Sequence, residues 1–177
     1  MKKILGVAFI AILLAFGGHK AEAQNLKFGH INSDELLQAL PEFDSASVKL
    51  ESFRKDLINA MELMSVEFNN KNETYNKENK NWTDVVKQTK EQELVDINRR
   101  IQEFQQNAQT QLQEKQTELF QPIYAKVDKA IKDVGKENGF VYIFDIKGLL
   151  YFDAAKSTDI LPLAKTKLGI KETAVKK

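Results

Sequence analysis

The chain contains no cysteine, which excludes disulfides, a thiolate nucleophile, thiolate metal ligation and a lipidated cysteine at the start of the mature chain. Histidine is nearly as scarce. His19 falls in a segment expected to be removed, so His30 is the one histidine of the mature chain, too few for an imidazole-based triad or a multi-histidine metal site. Its place in the alternating run Phe28-Gly29-His30-Ile31 marks it as a structural strand residue. Glycine and proline are absent from the 80 residues between Glu42 and Gln121, so nothing there interrupts a helix. The mature glycines, Gly29, Gly135, Gly139, Gly148 and Gly169, form no phosphate-binding loop. No metal or other cofactor is expected.

Long apolar runs are also missing, apart from Ile4 to Phe16 near the start. Lys2 and Lys3 precede that run and Ala21-Glu22-Ala23 follows it, the pattern of a secretory signal peptide over residues 1–23 with cleavage before Gln24. An uncleaved anchor is the rival reading, but 13 apolar residues fall short of the roughly 20 a spanning helix needs. Cleavage removes three of 26 basic and one of 25 acidic residues, leaving 23 and 24. Because the two signs alternate along the helical region, the charge describes a solvated surface and argues against nucleic acid as a partner.

What is present divides into an arm and a base. Residues 24–42 open the base with a strand at Leu26 to Ile31 and a brief helix capped by Ser33, with Asp34 and Glu35 in its first turn and Pro41 at its end. Residues 43–121 form the arm. Its first stripe runs Leu50, Phe53, Leu57, Met61, Met64, Phe68 and Tyr75, with spacings that predict a helix of weak supercoil. Glu51/Lys55 and Glu73/Lys77 add about 0.2 to 0.5 kcal/mol each. The asparagines of 69–72 and 76–81 predict the reversal. Thr83 then caps a second helix with Leu94, Ile97, Ile101, Phe104, Ala108, Leu112, Leu119 and Ile123 in register. Matching stripes on either side of a turn predict an antiparallel hairpin rather than one continuous rod.

Residues 122–170 return to the base. A helical face through Ile123, Val127, Ile131 and Val134 ends at Asn138-Gly139. Phe140 to Phe144 and Leu149 to Phe152 then read as two strands of a hairpin turned at Lys147-Gly148. Ser157 or Thr158 caps a last helix carrying Ile160, Leu163 and Leu168, and 171–177 is a frayed tail. The fold class is α+β, mostly α: a long, coiled-coil-like helical hairpin on a small β-rich body. Eight of fourteen mature aromatics lie in that body, and three short strands with apolar residues on both faces leave open edges. We therefore expect oligomerisation through Phe28, Ile31, Phe140, Tyr142, Phe144, Leu150 and Phe152 into a closed ring; a monomer whose strands pack on its own helices is the competing arrangement.

The order of a signal peptide, FGHINSDELLQALPE, a long charged helical region, RRIQEFQQNAQTQLQEKQTELFQPIYAKVDKAI and GFVYIFDIKGLLYFDAAKSTDI resembles the Skp/OmpH family of periplasmic chaperones. The most specific pieces are Ile101 to Gln106, Glu118 to Ile123 and Ser157-Thr158-Asp159-Ile160. The resemblance implies a soluble periplasmic homotrimer whose helical arms enclose unfolded outer-membrane β-barrel proteins without ATP. Its best-known members are strongly basic. The near-neutral charge of this mature chain weighs against lipopolysaccharide or membrane contact as a principal binding mode.

On that reading the candidate client contacts are Met61, Met64, Phe68, Tyr75, Trp82, Val85, Val86 and Phe104. For Met61, Met64, Phe68 and Phe104 the plainer role is sealing the helix pair, whereas Tyr75 and Trp82 are expected to be more exposed near the tip. The alternative function is a structural coiled-coil spacer of the cell envelope, which needs the same stripes but no cavity. A hydrolase is disfavoured because no carboxylate pair has an apolar setting. Asn72-Glu73-Thr74 and Asn81-Trp82-Thr83 match the glycan acceptor pattern, but they mark chiefly surface exposure.

Overall fold

A computed structural model describes residues 26–170. The expected signal peptide with its cleavage point, and the tail at 171–177, lie outside the described residues. Strand β1 (Lys27–Ile31) leads into helix α1 (Ser33–Gln38). The cap of α1 is Asn32, not Ser33: the Asn32 side chain accepts from the Glu35 amide at 3.4 Å, while the Ser33 hydroxyl donates to the Asp145 carboxylate. Nor does Pro41 end that helix. It occupies the first turn of α2 (Pro41–Glu78), where its missing N–H has no helical partner to lose.

Helix α2 is 38 residues long, about 57 Å at ~1.5 Å per residue, and passes unbroken through Asn69 to Asn72. Asparagine lowers helix stability by only fractions of a kcal/mol per residue, less than the packing of Phe68 and Tyr75 on either side restores. The chain turns at a single 3-10 turn, Asn79–Asn81, followed by Trp82 and Thr83. Thr83 holds the N-cap position of α3 (Asp84–Glu137), but its hydroxyl makes no capping bond.

Helix α3 spans 54 residues with Pro122 in its interior, so the division expected between residues 121 and 122 falls inside a continuous helix. Pro122 cannot donate to the Glu118 carbonyl. Phe120, Ile123 and Val127, all buried around it, hold the helix together across the gap. Gly139, at φ 69°, ends this segment in a left-handed conformation that glycine adopts without steric penalty.

The sheet corrects the expected β-hairpin. All pairings are parallel and the order is β2-β1-β3, with β2 at Phe140–Asp145 and β3 at Thr158–Asp159. Residues Ile146–Gly148 make a 3-10 turn pinned by the Asp145 carboxylate, which accepts from the Lys147 amide at 3.1 Å, and Leu149 to Phe152 join no strand. Burial explains the choice of partner. Placing β3 beside β1 lets the Ile160 amide donate to the His30 carbonyl at 3.0 Å and drives Ile160, Leu161 and Ala164 into the core, a gain that pairing through Leu149 to Phe152 would not provide. Thr158 is thereby used in the sheet. The final helix, α4 (Leu161–Lys167), is instead held at its start by Asp159, which accepts from the Leu161 amide at 2.9 Å.

The core lies at one end of the molecule, where Ile31, Leu36, Leu40, Ala46, Phe120, Ile123 and Ile160 meet. Gly29 is required there: a Cβ would approach Ile160, Ile143 and Phe140 to between 3.0 and 3.2 Å. Beyond this core α2 and α3 continue as a two-helix arm, so the structure is the mostly helical α+β arrangement expected, with the hairpin standing on a small sheet.

Candidate functional site

Along the arm the stripe residues pack in the seam as their spacing predicts. Met61, Met64, Phe68 and Phe104 are half-buried between α2 and α3. Three ion pairs cross from helix to helix: Glu42–Lys126 at 2.7 Å, Glu67–Arg100 at 3.6 Å and Lys71–Glu93 at 3.0 Å. Each is solvent-facing, so salt and water screen it and its contribution to stability is small. Glu73 pairs with Lys77 as expected, but Glu51 pairs with Arg54 at 3.3 Å.

The tip is more ordered than its asparagine content suggests. Tyr75 and Trp82, expected to be exposed, are half-buried and meet edge to face with ring centroids 5.8 Å apart. The Tyr75 hydroxyl donates to Glu91, and this bond raises the phenol's pKa. Beside them, hydrogen bonds from Lys90 and then Lys71 hold the Glu93 carboxyl below the usual range. Val85 is 74% exposed and Val86 is exposed beside it.

A carboxyl whose pKa is depressed on folding stabilises the fold above its unfolded pKa, about 4.3 for glutamate, and that contribution disappears as pH falls through the lower, folded value. We therefore expect the tip to loosen in acid. A spin label on Thr74→Cys, unique because the chain has no native cysteine, should gain mobility between about pH 7 and about pH 3. An unchanged spectrum would show that the Lys71–Glu93–Lys90 cluster does not hold the tip.

Four further apolar side chains, Val48, Ile58, Leu63 and Val66, are exposed on α2, and Val95 on α3. Sequence reasoning passed over them because they fall between stripe positions. Apolar residues scattered singly are ordinary on a protein surface, so the sequence set these apart only by their absence from the stripe.

In the base, Phe28, Tyr142 and Phe144 form a ladder across β1 and β2, with centroids 6.2 and 5.9 Å apart. Tyr142 is 58% exposed. Phe140 is half-buried under the Lys27 ammonium, 4.2 Å from its ring. Phe152 packs against His30 at 4.6 Å, and His30 Nδ1 lies 2.9 Å from Ser157 Oγ, the structural role expected for that histidine. Leu150 is fully exposed and Tyr151 largely so. Ile31 is the correction: it is 2% exposed and belongs to the subunit's own core, because β1 points it inward while Phe28 and His30 point outward.

Asp145 ties α1 to the end of β2. Burial pushes its carboxyl up, but hydrogen bonds from the Ser33 hydroxyl and the Lys147 and Ser33 amides outweigh this and leave the pKa lowered. Asp34 and Lys147 pair across the same junction at 2.5 Å. Among the described residues no three metal-ligating side chains converge and no helix is long and apolar enough to cross a membrane.

Residues 27–168 match the model of the family described as outer membrane protein (OmpH-like). The fold is similar to the crystal structure of a Caulobacter crescentus protein assigned as an outer membrane chaperone (OmpH-like), with a TM-score of 0.70 and 10% identity over 86% of this chain and 89% of that one. No protein with a curated description matches this chain.

Proposed function

The chain belongs to the OmpH-like outer membrane protein family, and on that premise we propose that it is an ATP-independent periplasmic holdase that keeps unfolded outer-membrane β-barrel proteins from aggregating. The observation that carries this reading is the distribution of apolar surface. The core occupies one end, while the arm beyond it exposes isolated apolar residues such as Ile58, Val85 and Val95 among charged and amide side chains. Each such contact is weak alone, and several arms acting together bind far more tightly than one.

The ladder of Phe28, Tyr142 and Phe144, left without a covering element, and the exposed Leu150 support a homotrimer built through the base, its arms leaving one side and surrounding the client. Release needs no nucleotide. As a client buries its apolar strands in the membrane, the surface recognised by the arms disappears and mass action empties the cavity.

The test is dilution of a β-barrel membrane protein out of urea into the purified mature protein, following light scattering and complex mass together. Aggregation should be suppressed at about one oligomer per client, the cooperative regime expected of linked arms. Undiminished aggregation, together with small-angle scattering from a filled rod, would assign the chain to an envelope spacer instead.

A further inference from the structure

The grooves of the arm differ in charge according to the side on which they open. Glu42, Glu67 and Lys71 project to one side of α2 and form the cross-helix ion pairs. The grooves on that side are lined by charge: Glu42, Lys49 and Lys126 near the base, and Lys71, Lys90 and Glu93 near the tip. Arg54, Ile58 and Met61 project to the opposite side at helical spacing. There a groove of about 290 Å³ is lined by Leu57, Ile58, Met61, Ala108, Gln105 and Gln109. A second, of about 350 Å³, is lined by Phe120, Tyr124, Gln113, Gln116, Thr117 and Gln121. Arg54 is the one charged residue lining either groove, and Glu51 engages it at 3.3 Å.

We infer that these two grooves, almost free of charge, form the client track, and that its occupant is an extended, uncharged, strand-like peptide with two large apolar side chains four residues apart. The inference rests on the holdase reading above and specifies the surface and the segment it takes. The two grooves are centred about ten residues apart along α3, ~15 Å at ~1.5 Å per residue. In an extended chain, residues i and i+4 lie on one face about 14 Å apart at ~3.4 Å per residue, so one apolar side chain enters each groove. Ala108 leaves the space for the first, and the Phe120 and Tyr124 rings, stacked at 6.1 Å, receive the second.

Charge matching selects the occupant. Glutamine amides both donate and accept and so suit the peptide groups of a strand whose edges are unpaired. A cationic side chain entering these grooves would lose solvation without gaining a partner, and an anionic one would meet only Arg54, which Glu51 already engages. A strand destined for a membrane barrel alternates an apolar outer face with a polar inner one, which supplies the required spacing.

The probe is a capped, fluorescent Ser/Thr peptide carrying phenylalanines at i and i+4, compared with one of the same composition carrying them at i and i+3, where an extended chain points them to opposite faces. Anisotropy with the full mature protein should show the i+4 peptide binding about tenfold more tightly. The double variant Gln109→Glu/Gln116→Glu should remove that advantage, whereas Ser45→Glu, in the charged groove near the base, should preserve it. All three positions are exposed, and circular dichroism confirms folding. Equal affinity for the two peptides, or an equal loss in Ser45→Glu, would overturn the track. If the unsubstituted protein still suppresses β-barrel aggregation in that case, the holdase reading stands and only the track falls. If it suppresses none, both fall.

Discussion

Replacing Tyr142 and Leu150 together by lysine is expected to leave a folded monomer with affinity for an unfolded β-barrel protein lowered by about 10²- to 10⁴-fold, the range over which linked sites exceed single ones. Both side chains are exposed in the subunit, so the substitutions remove nothing from its core and helix content should be preserved. Their effect falls on association. Two ammonium groups per chain within an aromatic interface would each have to shed hydration without an anionic partner. Sedimentation equilibrium reads the oligomer and client retention on a column reads the affinity. A monomeric variant that retains clients as well as the parent would show that one arm suffices, and the enclosing-cavity mechanism would have to be abandoned.

Leu36→Ala is expected to cost about 2 to 5 kcal/mol of folding stability, a large part of the roughly 5 to 15 kcal/mol that holds a domain together. Leu36 is 0% exposed. It belongs to the cluster in which α1 packs against α2, α3 and α4. The core is short relative to the helices it anchors, so few neighbours can close over the vacated volume. Thermal unfolding followed by ellipticity should move to markedly lower temperature and take arm helicity with it, because two helices joined by a narrow seam and screened ion pairs have little independent support. A melt that stays near the parent's would show that the arm is stable in its own right and that the base does not control it.

The legible and illegible parts of this protein separate by the range of the interactions that decide them. The arm was readable because the stripes of Leu57, Met61 and Met64 on one helix and Ile97, Ile101 and Phe104 on the other repeat every three or four residues, a local signal that a helix converts directly into one face. The reversal was placed in the right asparagine-rich region, although α2 persists through Asn69 to Asn72 because packing outweighs a small propensity. The strand pairing was misread. Phe140 to Phe144 and Leu149 to Phe152 have hairpin composition, yet β2 pairs with β1, more than 100 residues earlier in the chain, and its other edge is open.

The candidate surfaces divide in the same way. Tyr142, Phe144 and Leu150 are exposed and available to a partner, while Ile31, chosen for the same strand chemistry, is consumed by the core. Alternation along β1 distinguishes two faces but does not say which one the helices cover. The arm's outward apolar residues, Val48, Ile58, Leu63 and Val66, were passed over because a search for periodic stripes discards what lies off them.

Composition and spacing within a few residues were enough to establish a chain without thiol, phosphate-loop or multi-histidine chemistry, with two long helices in its middle and most of its aromatics gathered toward the ends. Long-range packing set the three strands parallel with β1 at the centre, placed Pro122 within a helix, and left two grooves of the arm lined almost wholly by uncharged residues and two lined by charge. Those outcomes depend on which distant surfaces exclude water together. That competition is settled by burying Ile160, Leu161 and Phe120 in one shared core, and no local pattern encodes it.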